Sequence, residues 1–109
     1  MGAELIRELN NGLIDLEEAV REMKKYGAEY AEAESKYKVA LMQKALELRD
    51  SGMAVTLIDK VVYGFVADER RNRDIAEANY KTSQEKIHAI KLRLKLCDAQ
   101  ISREWGQSR

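Results

Sequence analysis

The chain contains no proline and, in 109 residues, one cysteine, one tryptophan, one phenylalanine and one histidine. Without proline, nothing forces a long helix to stop. A single cysteine, Cys97, excludes an internal disulfide framework and fits a reducing compartment. Aromatic residues are only 6% and charged residues 35%, which suits long helices better than a compact mixed α/β core. Net charge is also missing: 19 basic and 19 acidic side chains cancel, so overall charge implies neither nucleic acid nor an acidic membrane surface as partner. No run approaches the roughly 18 apolar residues of a membrane span. The opening Met1-Gly2-Ala3-Glu4 lacks the plan of a signal peptide, and Ile6 stands where a myristoylation signal wants serine or threonine. A chain of this length is expected to be one domain, and the expected setting is soluble and cytoplasmic.

What is present is heptad-like patterning on either side of one interruption. Arg49-Asp50-Ser51-Gly52 reads as a helix end, with a cation in the last turn and a glycine free to take the left-handed conformation. Thr56 then reads as an N-cap with Asp59 as its capping-box partner, Leu57 to Tyr63 as two turns of helix, and Gly64 as its terminator. The layout is arm 3–51, tip 52–66, arm 68–105 and a disordered tail 106–109. The predicted fold is all-α: an antiparallel hairpin of two long helices, a short helix at the turn, and assembly into a multi-helix bundle.

On the first arm, Leu9, Leu16, Met23, Tyr30 and Tyr37 recur every seven residues, interleaved with Leu13, Val20, Gly27, Leu41 and Leu48. Glu34 is the one polar exception. Asn10-Asn11-Gly12 is the weak place, three poor helix formers worth about 2 kcal/mol against alanine; the unbroken phase of Leu5 and Leu9 argues for continuity. On the second arm, Asp68 and Glu69 suit a first turn. The seam then runs through Ala76, Tyr80, Ser83, Ile87, Ile90, Leu94, Cys97, Ile101 and Trp105.

A second stripe lies on the same arm. Ala89, Leu92, Leu96 and Ala99 step 3–4–3 but fall on the side opposite the seam. One hairpin buries only one of these faces, so this stripe is the expected homo-oligomer interface, and two chains forming a four-helix bundle is the simplest closed form. The tip holds Met53, Val55, Leu57, Ile58, Val61, Val62, Phe65 and Val66, an apolar density unusual for a turn. It is either a local core or a patch for a protein partner. Leu57, Ile58, Val61, Val62 and Phe65 are the candidate contacts, with Ile58 and Val62 the pair expected to be exposed.

The charge is unevenly placed. Residues 1–54 carry 8 basic and 11 acidic side chains, a net −3, and residues 55–109 carry 11 and 8, a net +3. Arg70, Arg71, Arg73, Lys91, Arg93 and Lys95 form a stripe that could hold phosphates. Antiparallel arms would set residues 81–95 beside the acidic Glu22–Glu34 region, so internal neutralisation is the expected use and nucleic acid is not the expected partner. His88 has no cysteine or histidine at i+3 or i+4 and reads as a solvated helix residue. Cys97 sits in the seam as a small hydrophobe. The glutamate clusters lack the inward Glu-x-x-His pairs of a di-metal bundle. No catalytic, metal or cofactor residue is assigned, and the expectation is a protein without enzyme activity.

Three runs, KALELRDSGMAVTL at 44–57, IKLRL at 90–94 and DAQISREW at 98–105, resemble small helical proteins found in phages and prophages of Gram-positive bacteria. The resemblance implies an early or accessory phage protein of the bacterial cytoplasm, among neighbours that serve recombination and replication. It carries over no site residue. The expected function is therefore an oligomeric helical interaction module. The alternatives are a nucleic-acid accessory factor or a protein with a ligand site at a subunit interface.

Overall fold

A computed structural model describes residues 2–107. It consists of α1 (Gly2–Asp50), α2 (Val55–Phe65) and α3 (Ala67–Gln107), with the long helix α1 packed against α3 as a hairpin and the short α2 between them. The helix runs without a break through Asn10-Asn11-Gly12. Helix α3 continues through Gly106 and Gln107, into the stretch expected as tail, while 108–109 lie outside the described residues.

The end of α1 is a Schellman motif. The Met53 N–H donates to the Leu48 carbonyl at 3.2 Å and the Gly52 N–H to Arg49 at 2.9 Å. Gly52 has φ +92°, as the left-handed position of this motif requires. The Ser51 hydroxyl adds a bond to the Leu48 carbonyl at 2.6 Å, and Met53 packs on the cluster that contains Leu48.

Helix α2 starts and ends elsewhere than its letters suggested. Its N-cap is Ala54, with φ −63° and ψ 140° and no side-chain cap, so Thr56 lies within the first turn and does not cap. The turn motif is complete at Met53, and one extended residue then suffices to begin a helix. At the other end Gly64 is helical, and the joint is Val66, 3% exposed, whose burial fixes the bend. Asp68 and Glu69 occupy the first turn of α3 as expected.

The chain divides into two compact units, one made of the residues up to Lys25 with those from Lys81 onward, the other of Tyr26–Tyr80. In the first, Ala19 (1% exposed), Ile87 and Ile90 form a cluster with Leu16, Val20, Met23 and Leu94 around it. The seam on α1 is turned by one residue from the expected one. Leu5, Gly12 and Ala19 are buried beside Leu9, Leu16 and Met23, while Leu13 is 47% exposed. Small residues explain the turn: a Cβ on Gly12 would stand 2.5 Å from Leu94 Cδ2, so the Leu94 side chain occupies the space that Gly12 leaves free. Cys97 is buried, and its Sγ donates to the Leu5 carbonyl at 3.2 Å. Two turns later Trp105 is exposed and not on the seam as expected.

The second unit has two layers. Leu48, Ile58 and Val62 form an aliphatic cluster with Leu41, Ala45, Met53 and Val61. Further along the α1–α3 pair the contacts become aromatic and polar. The Tyr30 hydroxyl donates to Glu77 at 3.2 Å, and its ring lies 6.0 Å from that of Tyr80. Arg73 spans Glu34 (3.5 Å) and Asp74 (2.9 Å), with its guanidinium 4.6 Å from the Tyr37 ring centre. Burial, then Glu77, pushes the Tyr30 phenol up. Burial works to lower Arg73, but Asp74 and Glu34 outweigh it and the guanidinium is raised.

Two glycines inside helices test this packing with opposite signs. Gly64 has open space where a Cβ would go, so Gly64→Ala should stabilise the protein by about 0.5–1 kcal/mol in urea unfolding. Gly12→Ala gains the same propensity but drives a methyl into Leu94, an overpacking that costs about 1–3 kcal/mol. It should lower stability. A gain from Gly12→Ala would show that α3 yields at no cost there.

Candidate interaction surfaces

Three sets of residues were expected to carry function, and the structure treats each differently. The outward stripe of α3 is intact. Leu92 is 58% and Leu96 61% exposed, and Ala89 and Ala99 are exposed on either side of them. Among the described residues nothing covers this face. The chain exposes 8214 Å², against about 6,200 Å² for a compact monomer of 12.5 kDa. Among the described residues no large side chain is fully buried. A thin core and a regular outward leucine face occur together.

The tip set divides. Ile58 and Val62 are 6% and 5% exposed and belong to the core, which corrects the expectation that they are its outward pair. Val61 packs against the same cluster. Only Leu57 and Phe65 of the five remain exposed, with Val55 and Tyr63. The Phe65 ring carries the Lys44 ammonium 4.4 Å from its centre. The inward face of α2 is set by Ile58, Val62 and Val66 at i, i+4 and i+8, and Leu57 and Tyr63, one residue outside it, point out.

Beside this core lies a groove of about 410 Å³ between α1 and α2. Leu41, Ala45, Ile58 and Val62 make its floor, and the exposed Met42 and Tyr63 its shoulders. Its polar lining is one cation, Lys38, from α1 and one anion, Asp59, from α2. The contribution of α2 to this groove depends on which of its residues turn inward. A second groove, about 280 Å³, lies in the other unit along Leu16, Val20, Met23 and Ile87, with His88 and Lys91 at its edge.

The basic set is largely engaged. Arg93 meets Asp15 at 2.8 Å and Lys86 meets Glu22 at 3.1 Å, pairing basic α3 with acidic α1 as the charge pattern anticipated. The Glu22 hydrogen bond raises Lys86. Arg71 pairs with Asp68 at 3.5 Å, Arg70 lies 5.9 Å from the Tyr63 ring centre, and Arg73 is held as described. Lys91 and Lys95 are exposed. Burial, then Glu8 and Asp98, pushes the Cys97 thiol up, the reverse of what activates a nucleophile. Among the described residues no group of three metal-capable side chains is assembled, and no helix is long and apolar enough to cross a membrane.

Comparison with known proteins returns no match: no family model, no curated protein and no solved structure is similar to the chain.

Proposed function

We propose that the protein is a non-enzymatic helical interaction module that works as a homo-oligomer, seating a second copy on the outward face of α3. The observation that carries this reading is the 3–4–3 stripe of Ala89, Leu92, Leu96 and Ala99, exposed on a chain whose own core is thin. Covering two leucines at once returns on the order of 2 kcal/mol each. The flanking Lys91 and Lys95 stay at the rim, where charge sets orientation more than affinity. A phage setting rests on the short runs at 44–57, 90–94 and 98–105, and the bacterial cytoplasm is the compartment that goes with it. Nucleic acid is the weaker reading, because four of the six candidate basic side chains already have partners within the chain.

Sedimentation equilibrium at micromolar concentration tests the reading. The wild type should exceed the 12.5 kDa of one chain by at least twofold. Leu92→Glu with Leu96→Glu should lower the assembled mass while helicity persists, since both side chains are already in solvent. A wild type that sediments as a monomer would end the proposal.

A further inference from the structure

The groove between α1 and α2 has a feature that a generic apolar patch lacks. Its shoulders, Met42 and Tyr63, are 65% and 47% exposed, and its polar lining is a single cation and a single anion, each from a different helix. Asp59 makes no ion pair among the described residues, and Lys38 has only an exposed i,i+4 contact with Glu34 at 3.5 Å. Such a border complements itself. A two-fold axis through the groove carries Lys38 of one copy to Asp59 of another and returns the favour, while the apolar floors face each other. A partner of uniform charge would satisfy only one of the two ends.

We propose that this groove is a second self-association surface, filled by the same groove of another copy, with Lys38 of each copy against Asp59 of the other. It is separate from the α3 stripe and does not depend on it. Two isologous surfaces on one chain build either a closed tetramer or an open chain of copies, depending on whether their axes meet. A dimer is the product of either surface alone.

The test is a charge swap read by sedimentation equilibrium on the full chain, carried out in the Leu92→Glu, Leu96→Glu background so that only the groove remains. That variant should still form a dimer. Lys38→Asp or Asp59→Lys alone places like charges together and should weaken the dimer about tenfold or more. The two changes together should restore it. Met42→Glu should also dissociate the dimer, and since Met42 is exposed its helical circular dichroism should match the parent. A background variant that is already monomeric overturns the groove and leaves the α3 reading standing. Single swaps that leave the dimer unchanged, or a double swap that fails to restore it, also overturn the groove. If the leucine changes leave the wild-type mass intact while the single swaps reduce it, the groove holds and the α3 reading falls.

Discussion

Replacing Ile58 and Val62 together by serine should cost more than about 4 kcal/mol and melt the second unit. Each loses a buried branched side chain, worth about 2–5 kcal/mol on truncation, and each places a hydroxyl where the surroundings are Leu41, Ala45, Leu48 and Met53. The comparison that gives the number meaning is Leu57→Ser with Phe65→Ser. Those residues are 47% and 57% exposed, so the pair should stay within about 1 kcal/mol of wild type apart from the small Lys44–Phe65 contact. Urea midpoints for the two double variants decide it. Equal losses would mean that α2 does not hold its inward face as described.

A second large effect is expected at Ala19. Only 1% of it is exposed, and Leu16, Ile87, Ile90 and Leu94 pack about it. Ala19→Asp introduces a short carboxylate that cannot reach water and meets no donor, so the loss should be about 3 kcal/mol or more. The pH dependence has a definite sign. Burial raises the carboxyl pKa in the folded state above its unfolded value. The unfolded state then releases its proton more readily, and the deficit should shrink as pH falls through the folded pKa toward the unfolded one. Ala19→Ser, with a neutral hydroxyl, should show a smaller loss and no such slope. A deficit for Ala19→Asp that is flat with pH, or below about 1 kcal/mol, would remove Ala19 from the core.

Much of the fold could be read directly because local chemistry and long-range packing agree there. Arg49-Asp50-Ser51-Gly52 names its own turn, since left-handed backbone leaves glycine almost without rivals. The pairs Lys86–Glu22 and Arg93–Asp15 follow from opposite charge on antiparallel arms. The start of the α1 seam was misplaced by one residue, at Leu13, because hydropathy ranks Leu13 above Gly12, while Leu16, Met23, Tyr37 and Leu48 lie where expected. Helix packing ranks them the other way when a neighbour can approach the bare backbone. At the tip, α2 carries more apolar residues than one face can bury, so composition alone cannot select among them; the joint at Val66 does. The α3 stripe was legible because its period is clean, whereas the groove needed two helices whose phases were set independently.

The tyrosine and Arg73 layer of the second unit bears on how the hairpin finds its alignment. Leucine layers repeat every seven residues, so a hairpin built from them alone can slide by a heptad and still match apolar to apolar. Arg73 cannot slide. Moved by seven residues it leaves Glu34 for Gly27 or Leu41 and keeps only its neighbour Asp74, while Tyr80 leaves Gly27, whose missing Cβ makes room for its ring. The layer thus acts as a key cut for one position, and it spends stability that aliphatic side chains would have supplied. A hairpin closed seven residues out of step leaves the Arg73–Glu34 and Tyr30–Glu77 contacts unmade.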